Sequence, residues 1–498
     1  MNVNPITRLD YPDPDVIRVE DTYYMVSTTM HFMPGCEILQ SFDLVHWEHV
    51  TYVYETLDHT DAQQLKSGQN IYGQGMWAAS LRYHEGRFYI CFVANDTRKT
   101  YLYTSEKIDG PWKKQLIEGF YHDGSLLFDE DGRNYIVYGN DEIWITELNE
   151  DLTAPKKDGL HRLLVSDHKN PELGYEGSHI QKINGYYYIF LVHSLRDRWM
   201  RTEACFYSDS LEGEFTGGDV LCDDRGYCGQ GVAQGGIVDT PDGKWYAMLF
   251  QDSGAVGRIP ILLPVTWKDH FPFFGQNGHV PEEIEVHSTR PGYIYQPLVG
   301  SDDFCNGLLP RWQFNHDPDP RYYHLDALQG TYTITTREVC TELTQAVNTL
   351  TQRMSYPSCA AEVTVDASAL KEGDVAGLCA LQSCYAAVGI TKHHGKYEVL
   401  MLDKKEDGIL DMTEGTVVES HQMDFRLEAD FSNMKDEARC YYRVNKGDWL
   451  PIGTVHKLYF KLDHFTGCRV GLFCYAAEET GGSACFRDFK YYDVDEIS

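Results

Sequence analysis

The chain has few positive charges for its size. Lysine and arginine total 43 against 75 aspartates and glutamates in 498 residues, a formal net charge of −32. Such a surface repels phosphate backbones, so nucleic acid is excluded as a partner, while a neutral ligand is indifferent to it. No stretch approaches the roughly 18 apolar residues that a membrane-spanning helix needs, so no membrane partner is expected. Met1–Ile6 carries neither a basic nor an apolar leader segment. The 14 cysteines contain no C-x-x-C pair, and several, such as Cys91, Cys205, Cys379 and Cys474, stand inside apolar runs, where a thiol acts as a small hydrophobe. A reduced, cytoplasmic protein is the expectation. Long amphipathic helical patterns are also nearly missing, which leaves β-structure to build the core.

What is present is a repeat. Five segments share a turn followed three residues later by tyrosine and an apolar strand: Asp21 to Tyr24, Gly86 to Tyr89, Gly132 to Tyr135, Gly185 to Tyr188 and Gly243 to Tyr246. The tyrosines are spaced by 65, 46, 53 and 58 residues. Periods of that size, made of short strands and Asx/Gly turns, fit the blades of a propeller. An all-β fold is predicted: a five-bladed β-propeller over 1–298, followed by an antiparallel β-sandwich of jelly-roll type over 299–498. The second domain is read from period-two alternation in runs such as Ala361–Asp366, Tyr397–Asp403 and Arg469–Tyr475.

Twelve residues before the last four repeat tyrosines stand Trp77, Asp123, Glu176 and Gln234, and eleven before the first stands Asp13. Equivalent positions at the start of each innermost strand face one axis. A single carboxylate there would ordinarily cap a turn. Three at matched positions predict an acid–base site, because like charges crowded together raise one another's pKa and persist only for a purpose. Glycosidic cleavage fits this, since it needs one carboxylic acid to protonate the leaving oxygen and one carboxylate to activate water or attack carbon. Pro12 and Pro14 restrict Asp13, which suits a base, and Gly174 and Gly177 flank Glu176, which suits close substrate approach to an acid.

The motifs Asn4-Pro-Ile, Tyr11-Pro-Asp-Pro-Asp15, His31-Phe-Met-Pro-Gly35, Met76-Trp-Ala-Ala-Ser80, His122-Asp-Gly-Ser125, Tyr175-Glu-Gly-Ser178 and Gly257-Arg258, in this order, make the chain resemble glycoside hydrolase family 43, the β-xylosidases and α-L-arabinofuranosidases. The resemblance implies inversion at the anomeric carbon, with Asp13 as general base, Asp123 as pKa modulator and Glu176 as general acid. It also implies Phe32 and Trp77 as pocket walls and Arg258 as a donor to sugar hydroxyls, with Gln234 beside them and His31 as a further subsite contact. The C-terminal sandwich would be concanavalin-like, with Gln313–Tyr323 reaching the propeller.

Many relatives place a channel histidine in the fifth blade that supports a structural Ca²⁺. This chain has Gln234 there, which puts a Ca²⁺ anchored at that position in doubt, although its amide oxygen could still order water or a weakly held ion; no metal ligand is assigned and no cofactor is required for the chemistry. The expected partners are xylo- or arabinoxylo-oligosaccharides cut from their ends. The competing reading is a non-catalytic glycan-binding propeller. A fructoside-cleaving relative would show Asn-Asp-Pro-Asn-Gly and Arg-Asp-Pro, and neither string occurs.

Overall fold

The structure is a computed structural model that describes residues 3–413 and 415–493. Five four-stranded antiparallel sheets, each in simple sequence order, form the propeller. Their innermost strands are Asp15–Val19, Met76–His84, Ser125–Phe128, Glu176–Ile183 and Ala233–Asp239. Each repeat tyrosine lies on the second strand of its blade, opposite Ile17, Arg82, Leu127, Gln181 and Val238 respectively. The hairpin before it turns through left-handed backbone, for example Glu85 and Gly86 at φ 48° and 78°, and Asn184 and Gly185 at 50° and 85°. Two successive positive φ values match the right-handed twist of the flanking strands.

The ring is closed by the N-terminal segment. The Asn4 side chain exchanges hydrogen bonds with the backbone of Leu262 at 2.7 and 2.8 Å. The Ile6 and Tyr11 amides donate to Pro260 and Arg258 carbonyls of the fifth blade. Along the axis, Arg82 donates to Asp15, Ser125 and the carbonyls of Leu126 and Ile180, so one guanidinium ties four blades together. Asp15 also meets His179 Nδ1 at 3.0 Å. Although burial opposes it, Arg82 and His179 hold Asp15 below the usual carboxylate range.

The second unit is a sandwich of a seven-stranded and a nine-stranded sheet, and one strand of the larger sheet is lent by the propeller. Phe32–Met33 pairs with Gln313–Asn315. The two units also share a core, in which Ala255, Val256 and Ile259 of the fifth blade pack with sandwich residues such as Trp312, Leu350 and Val470. The Gln313–Tyr323 segment does meet the propeller: His316 Nε2 accepts the Ile71 amide at 3.0 Å, and Asp317 contacts His59. Cysteines 91, 205, 379 and 474 are buried, and all fourteen are free thiols. No helix among the described residues is long and apolar enough to cross a membrane.

Candidate active site

At one mouth of the channel the backbone departs from regular geometry wherever a side chain faces the axis. Asp13, Asp123 and Gln234 have φ of 53°, 47° and 62°. The ladders slip beside Trp77, at Glu176 to His179 and at Ala233 to Gly236. Bulges and left-handed residues turn side chains out of the alternation a strand would impose, and they gather where a site must be aimed.

Asp13, at 6 % exposure, accepts a hydrogen bond from the Thr28 hydroxyl at 2.6 Å and lies 3.3 Å from Arg258 Nη1. Glu176 is the first residue of its strand and remains partly open, and its Oε2 accepts from Asn140 Nδ2 at 2.9 Å. Asp123 is buried between them and takes the Gly177 amide at 3.0 Å. Burial pushes Asp123 up to about 6, and the charges of Glu176 and Asp13 add to the rise while His122 resists it. His122 Nε2 stands 3.5 Å from Asp123 and 3.6 Å from Glu176. Burial would drive a proton off this ring, yet Asp123, Glu176 and Asp13 together raise His122 to about 9. The mouth therefore holds three carboxylates in three environments, with Arg258 beside Asp13 and His122 beside Asp123 and Glu176.

Trp77 is half-buried, with its ring 5.8 Å from His122 and 5.5 Å from Phe465. Phe465 comes from the sandwich and also faces the Arg258 guanidinium at 4.4 Å. Its loop is fastened by Asp10, whose two carboxylate oxygens accept the Arg258 and Gly467 amides, both at 2.8 Å. Phe32 is placed differently from Trp77: at 1 % exposure its ring lies under the Arg469 guanidinium, 3.7 Å away, and beside His31, within the seam between the two units.

The glycines around Glu176 make room for protein and not for substrate. A Cβ on Gly177 would strike the Gln234 side chain, and one on Gly174 would strike Asp141. Gln234 itself gives its backbone amide to Glu203. A single neutral amide packed on Gly177 is a poor shell for Ca²⁺, which takes six to eight oxygens. Among the described residues, one other grouping has atoms close enough for an ion, His122, Asp123 and Glu176 within 4.8 Å of one another. The same three groups are linked in their proton affinities: both carboxylates raise that of His122, and Glu176 raises that of Asp123 while His122 lowers it.

Sequence reasoning missed Thr28, Asn140, His122, Asp10 and Phe465. His122 was in view inside its own motif. Phe465 lies 452 residues from Asp13 and carried no signal.

Comparison with known proteins decides the family. The model for glycosyl hydrolases family 43 matches residues 3–272. The chain belongs to that family. It is a glycoside hydrolase. Residues 301–492 match the β-xylosidase C-terminal concanavalin A-like domain. Among relatives of the enzyme are a β-xylosidase of Formosa agariphila, 27% identical over 99% of this chain and 89% of that protein, and a non-reducing-end α-L-arabinofuranosidase of Bacteroides ovatus, 24% identical over 82% and 79%. A solved structure described as a bifunctional GH43-CE protein of Bacteroides eggerthii is 42% identical with a TM-score of 0.92; it covers 98% of this family 43 chain, which spans only 63% of that protein.

Proposed function

We propose that this family 43 enzyme is an inverting, exo-acting hydrolase that releases terminal pentoses, β-D-xylose or α-L-arabinofuranose or both, from hemicellulose oligosaccharides in the cytoplasm. Asp13 is the general base, Glu176 the general acid and Asp123 the modulator between them. The observation that carries the reading is the difference in environment among the three carboxylates. Glu176 alone is partly open beside a buried Asp123 raised to about 6, and Asp13 is buried against Thr28 and Arg258.

Glu176 gives its proton to the glycosidic oxygen as the bond to the anomeric carbon breaks. Asp13 takes a proton from the water that attacks the opposite face. Thr28 and Arg258 fix the Asp13 carboxylate for that purpose. Trp77 and Phe465 supply apolar faces for a neutral sugar ring, while Arg258 offers donors to its hydroxyls. The names of the relatives, which include both xylosidases and an arabinofuranosidase, favour a pocket that serves both pentoses.

The test is hydrolysis of nitrophenyl β-D-xyloside and nitrophenyl α-L-arabinofuranoside. Failure on both rejects the pentose assignment. Proton NMR of the first anomer released checks inversion, and a retained anomer rejects the roles of base and acid as given.

A further inference from the structure

A cycle of this kind moves charge. Asp13 gains a proton from water and Glu176 loses one to the leaving oxygen, whose bond pair from the anomeric carbon receives it. One negative charge disappears from the Asp13 side and appears on the Glu176 side. Fixed cations that meet this displacement lower the barrier, because they are aimed at charge that develops during the reaction. Arg258, 3.3 Å from Asp13, stands where negative charge is lost, so it orients the base and does not lower this barrier. From the distances in the mouth, we infer that His122 serves the end of the displacement: it is a positioning residue whose cation, beside Glu176, receives the carboxylate charge as the proton departs.

The inference rests on the assignment of Glu176 as acid, and geometry separates it from a packing role. His122 Nε2 is 3.6 Å from Glu176 and 3.5 Å from Asp123, so it stands at ion-pair distance from both carboxylates. The ring is steered by its edge contact with Trp77 of the second blade, which brings no charge. The groups that face it are Asp123 on its own segment, Glu176 on the fourth blade and, further off, Asp13, so every charge it meets is negative. Asn140, donating to the same Glu176 oxygen, holds that oxygen toward the ring's side of the pocket. The elevation of His122 toward 9 agrees with a cation throughout the neutral range.

The experiment compares two leaving groups on whichever pentoside the enzyme cleaves. A disaccharide needs protonation of its leaving oxygen, and a 2,4-dinitrophenyl glycoside does not. His122→Gln removes the cation and keeps a polar side chain. It is expected to lower kcat on the disaccharide about 10- to 100-fold and to change kcat on the dinitrophenyl glycoside less than about threefold. The alkaline limb of the disaccharide pH profile should move upward, since a carboxylic acid without a neighbouring cation keeps its proton to higher pH. His122→Asn is a second neutral replacement, judged by the same ratio.

Equal losses on both leaving groups with unmoved pH limbs would overturn the inference and leave His122 a packing residue. Glu176→Ala is measured in parallel. If it also lowers both substrates equally, it is the acid assignment that fails, whatever His122 does.

Discussion

The histidine at the mouth and the histidines at the seam are the same side chain driven in opposite directions. His122 sits among carboxylates, and their charges outweigh burial and raise it to about 9. His31, His316 and His464 stack together between propeller and sandwich, with ring centroids 4.7 Å apart for His31 and His316 and 5.2 Å for His31 and His464. All three are buried. Tyr72 closes edge-on against all three, Asn315 meets His31 Nε2 at 3.1 Å, and Arg469 adds a cation nearby. Burial, the neighbouring rings and Arg469 push His31 well below 6.5. Burial and His464 do the same to His316, and burial brings His464 down to about 4 against the pull of Asp463. Burial pushes every one of these imidazoles toward the neutral form, and only the three carboxylates around His122 together outweigh it. The two regions are joined by one peptide bond, between His464 of the seam and Phe465 of the pocket.

The sharpest way to separate them is to remove the acid. Glu176→Ala should cost about 10²–10⁴-fold in kcat on a pentoside whose leaving group needs a proton, with the melting temperature close to wild type. A large loss of stability would show that the mouth is also a structural keystone. The reverse pattern is expected of Arg353→Met. Arg353 comes from the sandwich and meets Glu37 of the first blade at 2.8 Å, both buried. Burial alone would raise Glu37, but Arg353 and His49 bring it down to about 2. Deleting the cation strands a buried carboxylate and should cost about 3–5 kcal/mol, read by denaturant titration.

pH probes the comparison directly. The seam histidines are neutral when folded and titrate near 6.5 when unfolded, so the unfolded chain binds more protons between the two values. Their contribution is full above pH 6.5 and drains away as pH falls below it, that of His464 as pH approaches about 4. His122 has the opposite sign: its contribution is full below 6.5 and is lost as pH rises through about 9. Melting temperature across pH 4–10 should therefore fall on both sides. His464→Phe should flatten the acid side only, and an unchanged acid side would show that His464 is not a principal source of that slope.

The smallest effect expected is at the junction. Phe465→Ala removes the ring facing Arg258 and should lower kcat/KM about 2- to 30-fold, the range of a partly desolvated cation–π contact. No change on either pentoside would show that the sandwich does not shape the pocket.

Much of the fold was legible because propeller blades repeat. The tyrosine after each turn recurs in the chain as it does in space, and the same register brought Asp13, Trp77, Asp123, Glu176 and Gln234 to one axis. Gly174 and Gly177 were read less well. Both do relieve crowding, but which neighbour crowds them, Asp141 or Gln234, depends on packing between segments. Phe32 was legible as a motif residue, while its burial under Arg469 needed the second domain.

The sequence by itself determined the five blades, the alternating sandwich and the matched repeat positions of Asp13, Asp123 and Glu176, since periodicity and turn chemistry are local and survive in one dimension. The tertiary structure decided that Phe465 faces Arg258, that Phe32–Met33 joins the sandwich sheet, and that the pKa of His122 is driven up while those of the three seam histidines are driven down. Those outcomes depend on distances of a few ångströms between residues up to hundreds of positions apart. Coulomb energy and desolvation follow separation in space.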